Sequence, residues 1–230
     1  MGKSRRPADR NAKAPRTRIA HRGRRILLSG FAPFGGERSN PSWEVAAALD
    51  KRIIGGLAVE SIRLPVNTAR AVKQINAEIR RRQPDAILGL GQAGSRPAIS
   101  LEKVAINLIE RRSRRETDGG LSGAAIVAGG PDGYFARIPF KEILRALNRR
   151  GIPATLSLSA GAYVCNSVMY AVLHAMRSRT AVPAGFIHLP YDARQAVRHR
   201  NAPSMTVEMM TAAVEAAVAE IARRMPASTT

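Results

Sequence analysis

Cys165, His188 and Glu102 are the residues whose types could together cut an acyl bond. Cys165 is the single cysteine, placed where a predicted strand ending at Val164 turns into a helix starting near Asn166. Backbone N–H groups and the helix dipole at such a junction favour a thiolate. His188 stands near the carboxyl end of the run Gly185-Phe186-Ile187-His188-Leu189, just before Pro190. Glu102 interrupts another apolar run, where a buried carboxylate needs a partner. Thiol, imidazole and carboxylate are the nucleophile, base and orienter of cysteine hydrolysis. The same residues have plainer readings: a lone cysteine is more often a buried core residue, and a histidine among apolar neighbours a satisfied one. His21, His174 and His199 are weaker candidates, the first in a basic N-terminal segment and the others on predicted helices.

Apolar runs and turn signals predict the elements that would hold these groups. Strands are expected over 25–30, 57–64, 85–91, 154–159 and 184–189, and helices over 40–51, 67–84, 139–150, 165–176 and 204–224. Asn40 fits an N-cap with Pro41 at the first helical position, Asn67 caps the second helix and Ser204 the last. Between 99 and 108 the apolar alternation shifts register across Glu102-Lys103, which predicts a bulge of the kind found beside active sites. Strands alternating with helices imply an α/β sandwich with a mostly parallel sheet. Ligands in such sheets bind at the carboxyl ends of strands, here the loops 31–36 and 92–97 and the turn into Cys165. The first loop, GFAPFGG, lacks the G-x-G-x-x-G spacing, and no G-x-x-x-x-G-K-[ST] occurs, so neither nucleotide motif is present.

The chain has 230 residues, a length that fits one domain with a tail. Apolar residues at 45% permit a real core, and no run approaches the length of a membrane span. One cysteine excludes an intrachain disulfide and any multi-cysteine metal site. The net charge of +20 is uneven: residues 1–25 hold ten Lys/Arg and one acid, Asp9. Residues 1–24 carry almost no large apolar side chains and read as a disordered arm, followed by one domain over 25–225 and a frayed end at 226–230. The arm could contact nucleic acid, but no aromatics interleave its charges, and a solvated extension is the favoured reading. It has no apolar segment of a secretory signal, so a cytoplasmic protein is expected.

Four segments resemble pyroglutamyl peptidase I, the pyrrolidone-carboxylate peptidase family of cysteine peptidases: GFAPFGGERSNPSWE (30–44), GLGQAGSRPAISLEKVAINL (89–108), SAGAYVCNSVMY (159–170) and GFIHLPY (185–191). They stand in the family's order, and the resemblance covers about 25–225. It implies a three-layer sandwich around a mostly parallel, mixed central sheet, phosphorylase/hydrolase-like in kind. It matches Glu102, Cys165 and His188 to the catalytic triad, Phe31 and Phe34 to the pair that sandwiches the lactam ring, and Asn40 and Gln92 to polar pocket residues. Arg112 is matched to an arginine near the oxyanion site, where the backbone at Cys165 would also donate. Departures are Lys103 for the family's usual arginine, Val66 at a pocket position, and an altered loop over 111–120.

The resemblance further implies an enzyme without metal or cofactor. It would remove N-terminal pyroglutamate from peptides and assemble as a homo-oligomer, dimer or tetramer. Two other readings stand beside it: a related amidase acting on another small acyl or cyclic amide, and an anion- or nucleic-acid-binding protein using the basic arm.

Overall fold

The apolar runs of the sequence meet in one sheet, in a computed structural model that describes residues 23–110 and 123–226. In chain order the elements are β1 (Arg25–Phe31), α1 (Pro41–Leu49), β2 (Ile53–Ile54), β3 (Leu57–Leu64) and α2 (Thr68–Arg82). Then come β4 (Ala86–Gln92), β5 (Ile99–Glu102), β6 (Val104–Ile106), β7 (Gly133–Phe135) and α3 (Phe140–Asn148). The last are β8 (Ala154–Ser157), α4 (Val164–Ala175), β9 (Ala184–Leu189), α5 (Ala193–Ala196) and α6 (Val207–Arg224). Seven strands lie in the order β2-β3-β1-β4-β9-β5-β8. β3, β1, β4 and β9 are parallel, β5 is antiparallel to β9, and β8 follows β5. The expected mixed, mostly parallel sheet is therefore present.

Alternate side chains feed two cores, which makes three layers. Ile26, Leu28, Leu88, Leu90 and Ile187 pack with Val45, Leu147 and Val214 of α1, α3 and α6. Leu27, Ile87 and Phe186 pack on the other face with Ile75, Val168 and Met169 of α2 and α4. Both faces of β1 and β4 are covered, which is why these strands are continuous apolar runs. Asn40 caps α1 as expected, its Oδ1 accepting the Ser42 N–H at 3.0 Å, and Asn67 caps α2.

Four expectations are corrected. The shift at Glu102-Lys103 is a change of sheet, not a bulge. The Lys103 N–H makes a last bond to Ser157 at 2.8 Å, its carbonyl then accepts from Ala136, and β6 pairs with β7 in a separate two-stranded sheet. The strand before Cys165 stops at Ser157, because the following segment turns through Gly161 at φ 79°. α6 starts at Val207 with Thr206 as its cap, while Ser204 is drawn into a bridge with Tyr191. His199 lies in a turn after α5, not on a helix. Arg112 and residues 1–22 and 227–230 lie outside the described residues. Among the described residues no helix is long and apolar enough to cross a membrane.

Candidate active site

The register of β5 against β9 sets Ser100 opposite His188 and Glu102 opposite Phe186. Glu102 and His188 therefore share a face of the sheet, the face under α4. Both are buried, Glu102 completely. Nδ1 of His188 lies 2.7 Å from Oε1 of Glu102. A carboxylate can only accept, so Nδ1 carries a proton, and in the neutral ring it is Nε2 that holds the lone pair. Burial pushes the Glu102 pKa up, but the hydrogen bond from His188 and its charge when protonated, a hydrogen bond with Ser157 and the charge of Arg96 outweigh it and hold the carboxyl below its ordinary range. Nη1 of Arg96 donates to the same Oε1, and its Nη2 donates to the Ser159 carbonyl at 3.0 Å.

Cys165 is the second residue of α4. The N-cap residue Tyr163 makes no side-chain cap bond, so no cap side chain occupies the first N–H groups of the helix. Gly91 pairs with His188 between β4 and β9. A Cβ at Gly91 would stand 2.9 Å from the Cys165 Sγ and 2.9 Å from Cδ2 of His188. Thiol and imidazole thus converge over Gly91, and only glycine leaves them that space. The helix junction was expected to favour a thiolate. Instead burial, and then the Glu102 charge, push the thiol up to about 12, against the pull of Arg96 and the residue's own backbone N–H. At this half-buried position lost solvation outweighs the helix terminus. A thiol whose pKa is raised in this way needs a base when it attacks.

A cleft of about 380 Å³ opens over these groups and is lined by all four of the expected pocket residues. Phe31 is nearly buried and belongs to the core beside Ile62 and Leu64, whereas Phe34 is half-buried in its loop. Asn40 is a loop staple as well as a lining residue: its Nδ2 donates to the Ala32 carbonyl at 3.1 Å, and its Oδ1 accepts from the Ser42 hydroxyl at 2.7 Å. Gln92 accepts through Oε1 from Nε2 of Gln195 at 3.1 Å, which leaves its own amide nitrogen unbonded among the described residues. Among the described residues no three His, Cys, Asp or Glu side chains converge as a metal centre requires.

Sequence reasoning passed over four residues here. Arg96 was legible as the one charge in the 92–97 loop, beside a glutamate that burial would oblige to find a cation. Gln195 is fully buried in a capping box with Asp192, a pattern hidden in a helix of four residues. Tyr191 lines the cleft and stacks on His199 with centroids 4.4 Å apart, and Nε2 of His199 lies 2.9 Å from Oε1 of Glu37. Gly94 has no room for a side chain, since a Cβ there would fall 2.0 Å from the Tyr191 ring.

Comparison with known proteins identifies relatives in both sequence and fold. The family model described as pyroglutamyl peptidase matches residues 24–224. A pyrrolidone-carboxylate peptidase of Yersinia pestis is 41% identical over 196 residues, covering 85% of this chain and 91% of the relative. The crystal structure of Bacillus amyloliquefaciens pyroglutamyl peptidase I superposes with a TM-score of 0.83 at 34% identity, over 88% of this chain and 98% of that one. A mutant pyrrolidone carboxyl peptidase from Pyrococcus furiosus gives 0.82 at 35% identity, over 88% and 100%. With a thiol, an imidazole and a carboxylate gathered at one cleft, and with matches of this extent in sequence and fold, this chain belongs to the pyroglutamyl peptidase family and is a cysteine-type peptidase.

Proposed function

We propose that this chain removes the N-terminal pyroglutamyl residue from peptides, with Cys165 as nucleophile, His188 as base and then acid, and Glu102 as orienter. The observation that carries the reading is the His188–Glu102 pair at 2.7 Å, set across Gly91 from the Cys165 thiol. A pyroglutamyl ring is a flat, neutral lactam that aromatic walls can bury, here Phe31 and Phe34. The unbonded amide nitrogen of Gln92 supplies a donor for its carbonyl. Nε2 of His188 takes the thiol proton as Sγ attacks the pyroglutamyl carbonyl carbon. The oxyanion is stabilised by N–H groups at the uncapped start of α4. Each such donor is worth about 2.7–4 kcal/mol in comparable sites. His188 then protonates the amine as the C–N bond breaks. A water that gives its proton to His188 attacks the thioester, the C–S bond breaks as His188 returns that proton to Sγ, and pyroglutamate leaves.

A chromogenic pyroglutamyl amide tests the reading. The wild type is expected to turn it over and to be inactivated by iodoacetamide, and Cys165→Ala to be inert yet folded. An active alanine variant would remove Cys165 from the chemistry. Equal turnover of acyl amides without the lactam ring would make the protein a broader amidase.

A further inference from the structure

Glu102 is a fully buried carboxylate whose second oxygen, Oε2, has no hydrogen-bond partner among the described residues. Such a charge is costly unless an opposite one compensates it. Among the described residues Arg96 is the only arginine or lysine that forms an ion pair with it. Arg96 reaches it from the loop between β4 and β5, and its Nη1 binds the oxygen that also accepts from His188. The same guanidinium holds the Ser159 carbonyl, and its Nη1 lies 3.4 Å from the Ser157 hydroxyl. It lines the cleft and is 30% exposed, so it is not filling the core. Its fork spans the carboxylate on β5 and the segment that leads from β8 into Cys165.

We propose that Arg96 is a positioning residue of this hydrolase, keeping Glu102 a carboxylate aimed at Nδ1 of His188 and tying it to the Ser159 segment before the nucleophile. This rests on the roles proposed for the triad. Without Arg96 the Glu102 pKa rises, so the carboxyl takes a proton from solvent over a wider acid range. A protonated carboxyl donates to Nδ1 instead of accepting from it, which moves the imidazole proton to Nε2. That tautomer cannot take the thiol proton. The titratable groups facing Glu102 are His188 on β9, Cys165 on α4 and Arg96 itself. The Arg96 charge lowers the Glu102 pKa and that of Cys165, so its removal raises both. Lysine can replace the charge but not the fork that holds two acceptors at once.

The test compares Arg96→Gln and Arg96→Lys with wild type and Glu102→Gln, by kcat, KM and pH profile on a pyroglutamyl amide, with thermal unfolding as the check on folding. Arg96→Gln is expected to lower kcat about 100-fold with KM within about twofold, and to move the acid limb of kcat/KM to higher pH. Arg96→Lys should return the acid limb to its wild-type place while recovering only part of kcat. In a Glu102→Gln background, Arg96→Gln should cost little more, since the group it acts through is already neutral. A drop in kcat with the acid limb unmoved in both variants would make Arg96 a structural brace and overturn the proposal. So would losses that add in full in the double variant. A fully active Glu102→Gln would instead overturn the triad itself.

Discussion

Glu102, His188 and Cys165 make unequal contributions to the proposed relay. His188 moves the proton in both half-reactions, so His188→Ala is expected to lower kcat by about 10²–10⁴-fold. Glu102→Gln should cost less, because an amide oxygen can still accept from Nδ1; a kcat lower than that of His188→Ala would reverse the two roles. Glu102 also links folding to pH. Its folded pKa lies below the ordinary carboxylate value, so it contributes stability that is present above that value and lost as pH falls through the folded one. The melting temperature of the wild type should therefore drop more steeply below about pH 4 than that of Glu102→Gln. The thiol behaves oppositely. Pushed up to about 12, it should be alkylated by iodoacetamide at a rate still rising beyond about pH 9. A plateau near neutrality would reveal a resting thiolate–imidazolium pair instead.

The two aromatic walls belong to different kinds of element, and their variants should differ accordingly. Phe31 ends a central strand and is packed into the core, so Phe31→Ala is expected to cost about 3–5 kcal/mol of stability as well as substrate affinity. Phe34 is on a loop, and Phe34→Ala should leave the melting temperature in place while raising KM more than it lowers kcat. Calorimetry beside steady-state kinetics separates the two; a stable Phe31→Ala would mean the loop can refill the space. The long elements were legible because their apolar runs and caps are physically self-sufficient: β1, β4 and β9 as buried runs, α1 and α2 from Asn40 and Asn67. Glu102 and His188 stood out because they interrupt such runs and Cys165 as the single cysteine at a strand–helix junction, but their grouping as a triad came from the family resemblance. What escaped was decided by partners far along the chain. Lys103 switches sheets because Ser157 and Ala136 are there to bond it. Gln195 and Arg96 matter through Gln92 and Glu102, contacts that no local period records. β2, β7 and α5, at two, three and four residues, are too short to carry a period at all.

The described residues that line the cleft fall between 31 and 191, on a sheet whose first main strand begins at Arg25. A chain lacking residues 1–22 is therefore expected to keep its turnover of a pyroglutamyl amide and its melting temperature, while losing eight basic residues and Asp9. Any retention on nucleic acid should weaken and its salt dependence flatten. A melting temperature lowered by several degrees would show that the segment packs on the domain. The strand order has another consequence, in time. β9 is the last strand to be synthesised, yet it lies in the middle of the sheet, between β4 and β5. The carboxylate and the imidazole are 86 residues apart in the chain and meet only when β9 has been inserted between strands made long before. A nascent chain thus carries Cys165 before His188, and on the proposed roles refolding cannot restore activity ahead of this non-local, slow pairing. Catalysis becomes a clock for closure of the sheet: in refolding from urea, turnover should return with the slowest folding phase and never before it.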